Sequence, residues 1–434
     1  MMESFSRRLP LLLLLMVWTA MPAAGQSFEV WVVDQSNTTG LSHGGKIHIF
    51  EGAHLMGEAL SQTAPIGTIE LSGETAARCV ASTGANPVRP HMLFFNSTRS
   101  HAVLSFVASG HVVIFDAVAR TSVACLRTSA GAAGARQAHA AVPSPDDQFI
   151  VVANQNGKLL QRINTNYATG TFVFDAGATI NLATCTTPNG VACQLAGVRP
   201  DNAPICPVVD SSSSLAFVTL RGGGLFVVDP RTTPMTIRAE YDLTTVHGNG
   251  CGGSEAGSSM FIDSGGGTAT NLNEFDVYRF PLVGYFPTNP VNTPTPELIY
   301  SDDVLGRDAH GTVVTGRGRY LWVADRHLNA IETFNVTSGG REATLYVAGF
   351  DNLDPSPDLM DISPSGNRVF VSLRGPNPLT GDPHVSTGSA PGLMVIQVTS
   401  GGRRGVVKGI IDISNLDADR VERGDAHGIR VRVR

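Results

Sequence analysis

Residues 308–314 read Asp308-Ala309-His310-Gly311-Thr312-Val313-Val314, and residues 425–431 read Asp425-Ala426-His427-Gly428-Ile429-Arg430-Val431. The internal copy is followed by two β-rich segments, Leu321–Asp325 and Ala330–Val336, whereas the C-terminal copy has none after it. Looser copies precede other such pairs: Arg89-Pro-His91, Gln137-Ala-His139, Pro204-Ile-Cys206, Asn249-Gly-Cys251 and Asp358-Leu-Met360. Seven pairs occur, from Glu29–Gln35 with Lys46–Phe50 to Val369–Leu373 with Leu393–Val398. They are rich in Val, Ile and aromatic residues, and glycine marks most of their turns. The first pair has no motif before it. The count closes if the last strand completes the first sheet, so the expected fold is all-β, a seven-bladed β-propeller locked by its C-terminal strand. Copies stand from 45 residues apart (Cys206 to Cys251) to 67 (His139 to Cys206), a span that suits four-stranded blades.

Composition agrees. The 434 residues include 47 Gly and 25 Pro with only 16% charged residues, a profile of short strands and tight turns. Residues 1–25 read as a secretory signal peptide: Arg7 and Arg8, an apolar run from Leu9 to Met21, then Pro22-Ala-Ala-Gly25, with cleavage before Gln26. That run is short of the roughly 20 residues needed to span a bilayer. Residues 26–434 are then one secreted or periplasmic propeller domain, with no membrane span. A formal charge of −6 without long like-charge runs gives no reason to expect nucleic acid. Six cysteines in an exported chain point to disulfides, and the repeat favours Cys206–Cys251, Cys79–Cys125 and a local Cys185–Cys193 bridge. No Cys-x-x-Cys-His is present, and neither haem nor nucleotide is expected. Asn37, Asn96 and Asn335 open glycosylation sequons.

Residues 139–163, HAAVPSPDDQFIVVANQNGKLLQRI, resemble a repeat of the YVTN type, and residues 360–373, MDISPSGNRVFVSL, are a second copy. The wider group includes lactonase-like hydrolases, the propeller domain of nitrous oxide reductase and quinoprotein-like subunits. The resemblance implies the propeller fold and leaves the activity open.

In such a fold the seven motif positions converge at one mouth of the channel. They carry His91, His139, Cys206, Cys251, His310, Met360 and His427. With the cysteines bridged, four histidines and a methionine remain, donors that suit copper. Asp308, Asp358 and Asp425 stand two residues before their motif partners, on the same side of the backbone, where an Asp can orient an imidazole. Turns on that face add Arg221, Arg326, His327 and Arg374, and an insertion from Gly375 to His384 is placed to arch over the mouth.

Three functions fit this set. One is metal-centred redox chemistry on a small molecule or anion: copper held by His91, His139, His310, His427 and Met360, the substrate drawn in by Arg221, Arg326, Arg374 and His384, and electrons from a redox partner protein. The second is lactonase-like hydrolysis, with Asp308–His310 or Asp425–His427 as general base. The third is a non-catalytic scaffold.

Overall fold

The computed structural model describes residues 26–58, 60–266, 275–288, 290–304, 306–349, 352–379 and 387–434. The signal-peptide reading of residues 1–25 and the placement of His384 lie outside these residues. Seven four-stranded antiparallel sheets form the ring. Blades 2 to 7 run in chain order from the inner to the outer strand, starting at Pro90–Phe95, Ala138–Pro143, Pro204–Val209, Gly253–Ala256, Ala309–Thr315 and Pro357–Ile362. Blade 1 takes its inner strand, Ala426–Val433, from the C-terminus and pairs it with Phe28–Asp34. The expected closure is therefore present, with Phe28 opposite Val433 and Val30 opposite Val431.

Burial explains why the strands read as they do. The second strand of each blade is covered on both faces by neighbouring blades, so Val30 to Val33 and Ala216 to Val218 are all fully buried. Outer strands alternate instead: Thr236–Tyr241 buries Ile237, Ala239 and Tyr241 and leaves the intervening residues partly open. The cores lie between blades, as where Trp31, Ile47 and Ile49 of blade 1 pack with Leu104, Val113 and Phe115 of blade 2.

All three expected disulfides are formed: Cys79–Cys125, Cys185–Cys193 and Cys206–Cys251. The first ties a short helix, Ala76–Thr83, to the outer strand of blade 2. Among the described residues no helix is long and apolar enough to cross a membrane. Of the three sequon residues, Asn96 is fully buried, and its amide donates to Thr98, Ser100 and Asp147. That side chain holds a turn.

Candidate functional site

A backbone irregularity builds the mouth of the channel. In six blades the inner strand carries one extra residue against its partner, a β-bulge. Pro90 faces Phe106 and Leu93 faces Leu104, and Ala309 faces Asp325 while Thr312 faces Val323. The same step recurs at Ala138/Ala140, Pro204/Pro207, Pro357/Met360 and Ala426/Ile429. The first bulged residue is His91, His139, Ile205, His310, Asp358 and His427 in the respective blades. This corrects the alignment of blade 7: Asp358 occupies the histidine position, and Met360 lies two residues further on. Met360 packs among Val313, Trp322, Val371 and Met394, away from the imidazoles. Cys206 likewise stands one residue past the histidine position.

Two devices hold these bulges together. Ser105, Thr219 and Ser372, on second strands, each bond the bulged backbone of their own blade and a carbonyl of the next. Ser105 reaches the His139 carbonyl at 2.9 Å and Ser372 the His427 carbonyl at 2.6 Å. Glycine supplies the second device. A Cβ on Gly311 would overlap the Asp358 carbonyl, and one on Gly428 the His91 carbonyl. Sequence reasoning missed the three hydroxyls, although a lone Ser or Thr inside an apolar strand was a usable signal.

The bulges bring imidazoles together around the hub. His91 and His139 approach with Nε2 atoms 3.3 Å apart, and His91 stacks on His427 with centroids 4.0 Å apart. Asp358 lies between His427 and His310. Its Oδ2 is 2.5 Å from Nδ1 of His427, and its Oδ1 is 2.7 Å from Nδ1 of His310. Asp358 is fully buried, as is Arg374, which bonds it at 3.1 Å and grips Asp425 with two bonds of 2.7 and 2.8 Å. Arg326 holds Asp308 in the same two-bond manner and comes within 3.7 Å of Asp358.

The expected pairs are thus exchanged. Asp308 and Asp425 face arginines, and Asp358 takes the histidines. Arg326 and Arg374, expected to meet a ligand, are buried and committed to carboxylates. Arg221 alone of the three is partly exposed, and it bonds Asp201 at 2.6 Å and Asn156 at 3.0 Å. Of the stretch after Arg374, the Gly375 N–H bonds Asp425 and the Leu379 carbonyl accepts from Arg89, while its later part lies outside the described residues.

Charge follows from these contacts. Burial would raise the Asp358 carboxyl, but His427, His310 and Arg374 outweigh it and hold the group well below the usual carboxylate range. Burial, aided by Arg326, lowers His310 to about 4 despite its contact with Asp358. His91 is driven well below the ordinary imidazole value by burial and by His427 and His139 beside it. An ionised Asp358 is placed to accept the Nδ1 proton of His427, whose other ring nitrogen is Nε2. That Nε2 is buried without a hydrogen-bond partner.

The four histidines and Met360 do not close on one point. Among the described residues, the three-residue set whose donor atoms all lie within 4.8 Å is His139, Cys206 and Cys251. Both sulfurs of that set are bonded to each other, and each lies 3.8 Å from Sδ of Met92.

No protein-family profile and no curated protein sequence matches this chain. Solved structures do. A putative 6-phosphogluconolactonase from Bacteroides fragilis aligns over 95% of this chain and 99% of its own, at 12% identity and a TM-score of 0.56. The chain shares its fold. A periplasmic gluconolactonase from Pseudomonas aeruginosa aligns over 94% and 100% at 14% identity and a TM-score of 0.56. A hypothetical selenium-binding protein from Sulfolobus tokodaii aligns over 94% of both chains at 9% identity and a TM-score of 0.62.

Proposed function

We propose that the hub is a proton-transfer site for a small molecule, and that the reaction is hydrolysis of a lactone or related ester. What carries the reading is Asp358, a buried carboxylate within 2.7 Å of Nδ1 on two imidazoles from two blades. A carboxylate so placed fixes the tautomer, so that Nε2 of His427 can take a proton from attacking water. Arg326 and Arg374 act on the substrate only indirectly, by keeping Asp358 ionised and in place. The shared fold of solved proteins titled as gluconolactonases supports the substrate class. Three disulfides support an exported protein.

The test is turnover of a panel of sugar lactones and simple esters. His427→Ala and Asp358→Asn should each lower kcat/KM by about 10²–10⁴, the usual weight of a positioned base. Asp308→Asn, which leaves both imidazole contacts intact, should cost far less. A wild type inert toward the whole panel would overturn the reading.

One observation favours a metal instead. Two imidazole nitrogens about 2.0–2.1 Å from a tetrahedral ion stand roughly 3.3 Å apart, and Nε2 of His91 and His139 are separated by 3.3 Å. Copper held there would need a redox partner protein for any oxidation. Elemental analysis of untagged protein, repeated on His91→Ala and His139→Ala, decides it. Stoichiometric copper or zinc that both substitutions remove would favour the metal centre.

A further inference from the structure

Past the histidine ring the inner strands enclose a second space. A cavity of about 230 Å³ is lined by residues of all seven blades, among them Phe94, Val142, Val208, Thr312, Leu359 and Arg430. The Cys206–Cys251 bridge and Met92 also line it, and they separate it from His139. The wall mixes apolar side chains with polar groups, among them Ser254, Glu255, Thr312 and Arg430.

Arg430 is a cation that forms no ion pair among the described residues. Its guanidinium lies over the Phe94 ring, with Cζ 4.4 Å from the centroid. Its hydrogen bond goes to the neighbouring Ile429 carbonyl at 2.9 Å, and among the described residues it forms no ion pair. The carboxylate with most influence on it, Asp361, accepts from the Val431 and Ile362 N–H groups at 2.7 and 2.8 Å. Glu255, the carboxylate that lines the cavity, is held by Ser211 through two bonds of 2.6 Å. Burial holds the Arg430 guanidinium below its ordinary range; Asp361 opposes this and the like charge of Arg99 adds to it. Arg430 is only partly buried, and its guanidinium lines the cavity with no ion pair among the described residues, so it is open to an anionic partner.

We propose that the channel is a binding site for a small organic monocarboxylate, whose carboxylate pairs with Arg430 and whose apolar body lies along Phe94, Val142 and Leu359. The planar guanidinium suits a carboxylate fork. Size agrees as well. An apolar cavity of about 150 Å³ accommodates benzene, so 230 Å³ holds a ring or short chain that bears a carboxylate. The site is separate from the Asp358 cluster and does not depend on what that cluster does.

Calorimetric titration of the mature chain with benzoate tests this, with benzyl alcohol as the uncharged probe of similar shape. Benzoate should bind at least about tenfold more tightly than the alcohol. Arg430→Gln should weaken benzoate by roughly ten- to a hundredfold, the weight of hydrogen bonds to a charged group, and leave the alcohol unchanged. His427→Ala should leave benzoate binding intact. Should Arg430→Gln fail to fold, the preference of the wild type for benzoate over the alcohol decides the matter. Absent benzoate binding, equal binding of the two probes, full affinity in a folded Arg430→Gln, or loss in His427→Ala would each overturn the proposal.

Discussion

Asp358 shows how much one side chain depends on its surroundings. A carboxylate moved out of water would ordinarily gain a proton, yet two imidazoles and two guanidinium groups keep this one charged. The imidazoles respond in the opposite sense. His310 and the fully buried His111 ionise near pH 4 in the fold and near 6.5 in the unfolded chain. Between those values the unfolded chain takes up protons that the folded chain refuses, so their contribution to stability falls as pH drops from about 6.5 to 4. For His310 the full effect is about 3 kcal/mol. Asp358 contributes nothing in that window, because its stabilisation is lost only below the ordinary carboxylate value, near 3.8. Between pH 7 and pH 4 the melting temperature of His310→Gln should therefore fall less, or rise more, than that of the wild type. An unchanged slope would mean that His310 is not buried in its neutral form.

At the scale of the strand, the bulge decides which residues meet. The sequence showed where each inner strand begins and that its opening residues gather at the mouth. It did not show which of two residues, one pleat apart, faces the hub. Asp358 and Met360 both lie on the same side of a regular strand, and the likeness of Asp358-Leu-Met360 to Asp308-Ala-His310 favoured the methionine. The extra residue between Pro357 and Met360 reverses that choice, and an extra residue is a property of backbone pairing that no side chain announces. The arginine pairing was hidden for a similar reason, since Arg374 of blade 7 reaches Asp425 at the far end of the chain. Cys206–Cys251 was legible because matching places in adjacent blades are adjacent in space, and Cys185–Cys193 because the two bracket one turn-rich loop. The tight blade contact gives a direct check. Gly428→Ala pushes a methyl group into the His91 carbonyl and should cost about 1–3 kcal/mol, as overpacking does. Gly340→Ala, where φ is not in the left-handed region and the added carbon meets only the Ser338 hydroxyl at 3.4 Å, should be nearly neutral. Denaturant midpoints of the two variants make the comparison.

The whole ring depends on its last strand. Ala426–Val433 covers Val30 and Val32 with Ile429 and Val431, all buried, and delivers His427 to the hub, with Asp425 just before it. Each such aliphatic is worth about 1.5–3 kcal/mol, against a total stability of roughly 5–15. Truncation after Arg423 should leave a protein that aggregates or melts without a cooperative transition. Light scattering and calorimetry would show this, and a truncated chain that melts like its parent would contradict the role given to the strand.

That closure also has a consequence in time. Phe28 pairs with Val433, 405 residues further along (433 − 28). At about 5–20 residues per second, synthesis separates the two partners by roughly 20–80 s. Throughout that interval the edge of Phe28–Asp34 that awaits its partner has bare N–H and C=O groups beside apolar side chains, the kind of edge that recruits stray strands. The newborn chain must therefore be shielded until its final eight-residue strand arrives, and its yield will be set as much by that wait as by the stability of the finished ring.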